Sequence, residues 1–507
     1  MQIAGNETLG PSTIVPGARA ALWLLLGINL FNYIDRQILS AVLPKLALDA
    51  TIFEPADPNL QFKLGLLTTA FMVSYMLLSP LFGYLGDRYS RWRLVGVGVI
   101  LWSLATGGSG LAVSFMMLLA MRSLVGIGEA AYGPVAPSML SDMYPVRDRG
   151  KILARFYIAI PVGSALGFVI GGAVAATSLG WRGAFLVAVV PGIVLGVICL
   201  FMREVPRPDA GSTSPHHEGY TAVFFRIWKV KSFRCNTIAM TASTFILGGV
   251  AAFAPQYIFE REARFQVSGE SLLKVEQLLA SDQSRVVPEA IVDKLRPLTA
   301  EKIYPVDEFK KLLRQTLNPA EYAQYSERLF DMLTAPDSIT LATINLTFGV
   351  IVVLSGLFAT LLGGMLGDAL RERYRGAYFL VAGWGCIVAF PFFLGMLFLP
   401  FPYAWLCMFV AVFGLFFNTG PANTILANVV PSSVRATAFA INILIIHALG
   451  DAISPPIIGL IADYSNLQTA FIITSFFILI AGLVWRFGAR YLEADTAAVT
   501  TPPLPLQ

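Results

Sequence analysis

Charge is scarce in this sequence. Only 13% of its 507 residues are Asp, Glu, Lys or Arg, about half the share found in soluble domains. Histidine is scarcer still, at three residues, and cysteine numbers four. Cys199, Cys235, Cys386 and Cys407 lie in or beside apolar runs without metal-ligand spacing, so neither a zinc module nor a disulfide framework is expected. Buried free thiols are the simpler reading. No nucleotide-binding glycine loop, zinc signature or nucleophile elbow occurs, so no cofactor, no metal and no enzyme activity are expected. The net charge of +4 gathers into no nucleic-acid stripe. Alternating ten-residue strands are missing, which excludes a membrane barrel. A basic segment followed by a short apolar stretch and a cleavage site is missing at the N-terminus, so the first apolar run is expected to act as an uncleaved anchor.

What is present is long and apolar. The composition is 56% hydrophobic with mean hydropathy +0.67, the profile of an integral membrane protein. Twelve runs reach the roughly 20 residues a spanning helix needs. They lie at about 19–46, 63–86, 92–113, 115–142, 151–177, 182–202, 233–259, 338–367, 376–398, 402–428, 434–461 and 468–490, numbered here helices 1 to 12. Arg88, Arg91 and Arg93, then Arg147, Arg149 and Lys151, then Arg371, Arg373 and Arg375 fall on alternate turns, while residues 48–62 and 462–467 contain no Lys or Arg. The positive-inside rule puts the basic turns and both termini in the cytoplasm.

The chain repeats itself at large scale. GYLGDRYSRWRLV, from Gly83, follows helix 2, and GGMLGDALRERYRG, from Gly363, follows helix 8. Both read Gly-x-x-Gly-Asp before arginines. A second echo, YPVRDRGKILA (144–154) and VPSSVRATAFA (430–440), follows helices 4 and 10. Two parallel-related halves of six helices are the larger repeat of the major facilitator fold. The expected organisation is an N-terminal half, 1–203, a cytoplasmic linker, 204–232, a C-terminal half, 233–491, and a cytoplasmic tail, 492–507. The paired loops resemble the latch of that superfamily, which makes Gly83, Asp87, Arg88, Arg91, Asp368 and Arg435 the expected cytoplasmic gate. Helix 5 carries Gly163, Gly167 and Gly171 four apart, a face open to close helix approach.

Charge inside the bilayer needs a reason, since each such group costs about 2.5–3.5 kcal/mol at the centre of a spanning helix. Helix 1 carries Asp35 and Arg36 side by side; helix 4 carries Arg122 and Glu129, two turns apart on one face. Counting 1.5 Å per residue puts Arg122 at about the depth of Asp35 and Glu129 about 10 Å deeper. The expected pairings are Asp35 with Arg122 and Arg36 near Glu129. Two readings stay open: a static buried salt bridge, and a pair whose opening takes up and releases a proton. In the second reading Asp35 and Glu129 carry the proton, and Arg36 and Arg122 hold an anionic headgroup with the fork that guanidinium offers phosphate. Helix 11 places His447 and Asp451 four apart, before Pro455 and Pro456, which should bend it. Helix 10 adds Asn418, Thr419, Asn423 and Asn428. Tyr33, Tyr132, Asn423, His447 and Asp451 complete the expected substrate-binding set.

These segments together resemble Spinster-type transporters of the major facilitator superfamily. The resemblance rests on DRQILSAVLP (35–44), RSLVGIGEAAYGPVAP (122–137) and HALGDAISPPIIGLIAD (447–463). It implies an all-α membrane protein of twelve spans that moves sphingoid-phosphate or lysolipid amphiphiles, coupled to protons, across a bacterial inner membrane. Partners would be the amphiphile, protons and membrane lipid, with the protein a monomer. Asp35, Arg36, Arg122 and Glu129 match the family's functional charges. The departure is a polar insertion between helices 7 and 8, about 263–336, expected outside the cytoplasm as a lid-like ornament or a guide for the amphiphile. Ser268 and Asn318 are its expected helix caps, with Pro319 opening the second helix. Small organic anions or sugar phosphates are the alternative cargo, and a non-transporting sensor is the alternative of a different class.

Overall fold

The computed structural model describes residues 14–500 apart from 55–56, 146–151, 153–154, 205–219, 274, 276–286, 299–301 and 432–433. The side chains of Asp87 and Arg435 also lie outside the described set, so the gate expected of them is not on view. Among the described residues, ten helices are long and apolar enough to cross a membrane, from Leu60–Gly86 to Leu467–Gly488. Two more complete the twelve: Ala18–Leu46, of 29 residues, and Arg91–Gly110, of 20. The first of these is diluted by Asn29, Asn32, Asp35 and Arg36, and the other by glycine, serine and its two leading arginines.

Three spans are broken. Helix 4 is Phe115–Ala130 followed by Val135–Met143, and helix 10 is Tyr403–Phe416 followed by Thr419–Asn428. Helix 11 runs Arg435–Ile446, widens into a π-helical turn over His447–Asp451, and restarts at Ser454–Tyr464 with its prolines in the first turn. Proline has no N–H to return to the preceding turn. Pro456 therefore cannot serve the Ala452 carbonyl, and the Thr69 hydroxyl of helix 2 donates to it instead, at 2.5 Å.

Small residues set the distances between helices. Helix 5 (Arg155–Ala175) packs along helix 1, and a Cβ on Gly163 or Gly167 would come within 2.5 Å of the Leu30 or Ile34 carbonyl. Only glycine permits this backbone-on-backbone approach, which fixes the turn of helix 1 that bears Asp35 and Arg36.

Hydrogen bonds between the halves gather at the end that carries the insertion. Asp463 accepts from the Gln61 and Phe62 amides at 2.8 Å each, capping the start of helix 2 from helix 11. Gln256 donates to Gln61 at 3.0 Å, and Asn345 to the Ala41 carbonyl at 3.0 Å.

The insertion is more than an ornament. Strands β1 (Arg264–Gln266) and β2 (Ile303–Pro305) pair antiparallel, and helices Glu289–Leu295, Val306–Thr316 and Pro319–Met332 close over them. Phe265, Phe309 and Phe330 form its centre, with ring centroids 4.8–5.1 Å apart. Asn318 and Glu321 form a capping box, and Ser268 accepts from the Ser271 amide. Leu48, from the loop after helix 1, is part of the same core. Lys45, 4% exposed, donates to Asp331 and to the Ala175 carbonyl, at 2.5 Å each. An element carried by the second half is thus bound to the first.

Candidate functional site

Four helices of the first half converge on a charged cluster. Asp35 and Arg122 are 1% exposed and Glu129 is fully buried. Arg36 meets Glu129 as expected: its Nε donates to Oε2 at 2.7 Å, and its Nη2 lies 2.7 Å from the same oxygen in an ion pair. The guanidinium lies inside three aromatic rings, 4.9 Å from the centroid of Tyr33 and 5.0 Å from those of Phe71 and Tyr75. Ring faces attract a cation that water no longer reaches, so this box and Glu129 together hold Arg36.

The expected contact between Asp35 and Arg122 is not made. Asp35 instead accepts from the Thr106 hydroxyl of helix 3, at 2.5 Å. Arg122 lies 5.4 Å from the Phe71 ring centroid, and its Nε and Nη1 have no hydrogen-bond partner among the described residues. One oxygen each of Asp35 and Glu129 is likewise unpartnered. Thr106 thus supplies the partner expected from Arg122, and Arg122 lies instead over the ring that also faces Arg36. Gly126, between Arg122 and Glu129, packs against the Phe71 carbonyl and lets helix 2 bring its rings this close.

Other expected site residues lie elsewhere. Tyr132 is buried against Trp102, and its hydroxyl donates to the Leu25 carbonyl at 2.7 Å, so its polar end is already occupied. His447 and Asp451 do meet, Nδ1 to Oδ2 at 2.9 Å, on the π-helical turn. The helix 10 amides do not form one face. Asn418 is buried and bonds to Ser243 at 3.3 Å, whereas Asn423 is exposed and returns to the Thr419 carbonyl. Among the gate residues, Arg91 pairs with Asp142 of the first half at 2.5 Å and with Glu204, the first residue of the linker, at 3.5 Å. Arg88 stacks on Tyr84, Gly83 faces Pro134, and Asp368 accepts from Tyr378 at 2.7 Å. None of these contacts joins the two halves. Among the described residues no three His, Cys, Asp or Glu side chains gather where a metal could sit.

Sequence reasoning missed Thr106, Phe71 and Tyr75. A single hydroxyl in the glycine-rich helix 3 gives no signal. The i, i+4 aromatic pair on helix 2 did offer one, since such a pair shares a helix face.

The Major Facilitator Superfamily model matches residues 25–273 and 313–505, passing over part of the insertion. Protein spinster of Drosophila melanogaster is 30% identical over 465 residues, or 89% of this chain, which spans 64% of that protein. Protein spinster homolog 1 of Bos taurus is 30% identical over 498 residues, covering 92% of this chain and 80% of the relative. A bacterial homolog to the human lysosomal transporter Spinster, inward-facing and unoccupied, shares the fold with TM-score 0.71. That match covers 96% of this chain and 99% of the other at 18% identity. The chain belongs to the major facilitator superfamily and, within it, to the Spinster-type membrane transporters.

Proposed function

We propose that this transporter moves a lipid-like amphiphile with an anionic headgroup, coupled to protons, by alternating access. Asp35 and Glu129 carry the proton, and Arg36 and Arg122 receive the headgroup. One observation carries the reading: Arg122 is 1% exposed yet has two N–H groups without a partner among the described residues. Unmatched donors on a buried charge cost stability, and a transported anion that arrives and leaves would match them in turn. The aromatic box at Arg36 supplies apolar walls beside the charge, which suits a headgroup joined to a tail. His447 and Asp451 contribute from the second half. The protein acts as a monomer in the inner membrane, with both termini cytoplasmic and the insertion on the opposite side. Gly83, Asp87, Arg88, Arg91, Asp368 and Arg435 form the gate that closes the cytoplasmic side.

The test is uptake into proteoliposomes of labelled lysolipids beside hydrophilic organic anions and sugar phosphates, with and without a pH gradient. Gradient-driven uptake of the lysolipid alone is the expected result. Uptake of the hydrophilic anions alone would move the cargo to that class, and uptake indifferent to the gradient would remove proton coupling.

A further inference from the structure

Helices 1 and 5 begin side by side, and a cavity of about 670 Å³ opens between their first turns. Arg19 and Trp23 line it from helix 1, Arg155 and Ile158 from helix 5, and Tyr144 from the end of helix 4. Arg19, Trp23, Arg155 and Ile158 are exposed, while Tyr144 is 3% exposed. Two guanidinium groups thus line one cavity beside the Tyr144 hydroxyl. No acidic side chain lines the cavity among the described residues. The remaining walls, Leu22 and Leu26 among them, are apolar.

We propose that this crevice binds an acidic phospholipid of the surrounding bilayer, its phosphate between Arg19 and Arg155 and one acyl chain along Leu22, Leu26 and Ile158. Three physical points favour that occupant. Two unopposed arginines at the start of spanning helices supply what a phosphate needs, and such basic pockets between helices recognise anionic headgroups. Guanidinium binds phosphate in a fork rather than as a point charge. An exposed Trp one turn deeper lies where indole rings settle at a membrane surface. The site is distinct from the transport cluster: Arg19 and Arg36 are 17 residues apart on one helix, about 25 Å.

Native mass spectrometry of the full-length protein, released from micelles holding equal phosphatidylglycerol and phosphatidylcholine, tests the proposal. The wild type is expected to retain phosphatidylglycerol preferentially. R19A and R155A should each lower that preference about fivefold, and the double variant about thirtyfold, from the attraction each arginine near a headgroup supplies. R19K/R155K, which keeps both charges, should keep part of the preference and serves if the alanine variants fold poorly. R373A/R375A, at exposed arginines of a distant turn, should keep all of it. A wild type without preference, a double alanine variant that retains it, or equal loss in R373A/R375A would each overturn the site. The measurement involves neither cargo nor gradient, so failure of the transport reading would leave it standing.

Discussion

The interiors of the two halves solve the problem of polarity in a bilayer differently. In the second half the buried polar groups are neutral amides and hydroxyls, many of which meet one another. The atoms left open there among the described residues, on Ser232, Gln256, Asn345 and Ser454, carry no charge. Asn236 donates to the Ala422 carbonyl at 3.0 Å and accepts from the Trp485 indole at 2.9 Å, and Thr237 donates to Asn442 at 2.8 Å. The first half buries Asp35, Arg122 and Glu129, each with at least one atom lacking a partner. A satisfied neutral network rigidifies a core. A charged cluster with open valences stabilises little by itself, because desolvation offsets its attraction. The difference separates what holds the helices together from what can bind and release.

The largest effect should come from neutralising the charged side. With Asp35→Asn and Glu129→Gln, gradient-driven accumulation is expected to vanish while equilibrium binding of a lysolipid persists, because amides keep size and hydrogen bonds but cannot titrate. Normal accumulation by both variants would leave the cluster a structural pair. Arg122→Ala should weaken binding of an anionic lysolipid about tenfold to hundredfold, the loss of one or two charge-assisted hydrogen bonds. Isothermal titration in detergent measures it, and unchanged affinity would place the headgroup elsewhere.

On the neutral side the outcome should reverse. Asn236→Ala removes the partner of Trp485 and Ala422 and is expected to cost about 1–3 kcal/mol, read as a lower thermal midpoint, with accumulation per folded molecule unchanged. Loss of coupling in this variant would erase the distinction between the halves.

The smallest effect concerns pH. Outside the spans, burial opposes ionisation of Asp49, but hydrogen bonds from Thr51 and Arg182 outweigh it and hold the carboxyl below its usual range. A depressed acid stabilises the fold above its unfolded value of about 3.9 and loses that contribution as pH falls through the lower folded value. Amide exchange over residues 49–53 should therefore quicken, relative to its intrinsic rate, as pH falls below about 4. The Asn236 network should show no such dependence. An Asp49→Asn variant with the same acid sensitivity as wild type would assign the effect to another group.

How legible was this molecule? The twelve spans could be read because bilayer thickness imposes a length on apolar runs, and the breaks could be anticipated at Pro455 and Pro456. Counting rise along two opposed helices gave Asp35 to Arg122 and failed, because axial depth says nothing of rotation about the axis or of a third helix bringing Thr106. The encounter of Arg36 with Glu129 was legible only as a match of opposite charges on two helices, since the same count set Glu129 about 10 Å deeper. Tyr132 was expected among the cargo contacts, yet it lies past the end of the helix segment that carries Glu129, and its hydroxyl is spent on the Leu25 carbonyl. Lys45 and Asp331, 286 positions apart, gave no signal to one another.

That last pair changes what parting the halves at their insertion end would require. The insertion returns to the second half at both of its chain ends, yet Leu48, Lys45 and the Ser326 bond to the Leu48 carbonyl fasten it to the first. Chain and contacts together form a ring: the linker closes it covalently at one end and the insertion closes it reversibly at the other. Separation there must either break the fastening or drag the insertion off the helices that carry it. A fastening of about 3 kcal/mol would weight the two arrangements more than a hundredfold. The length and stickiness of one polar insertion could thus set how long this transporter waits between strokes, without touching the residues that bind its cargo.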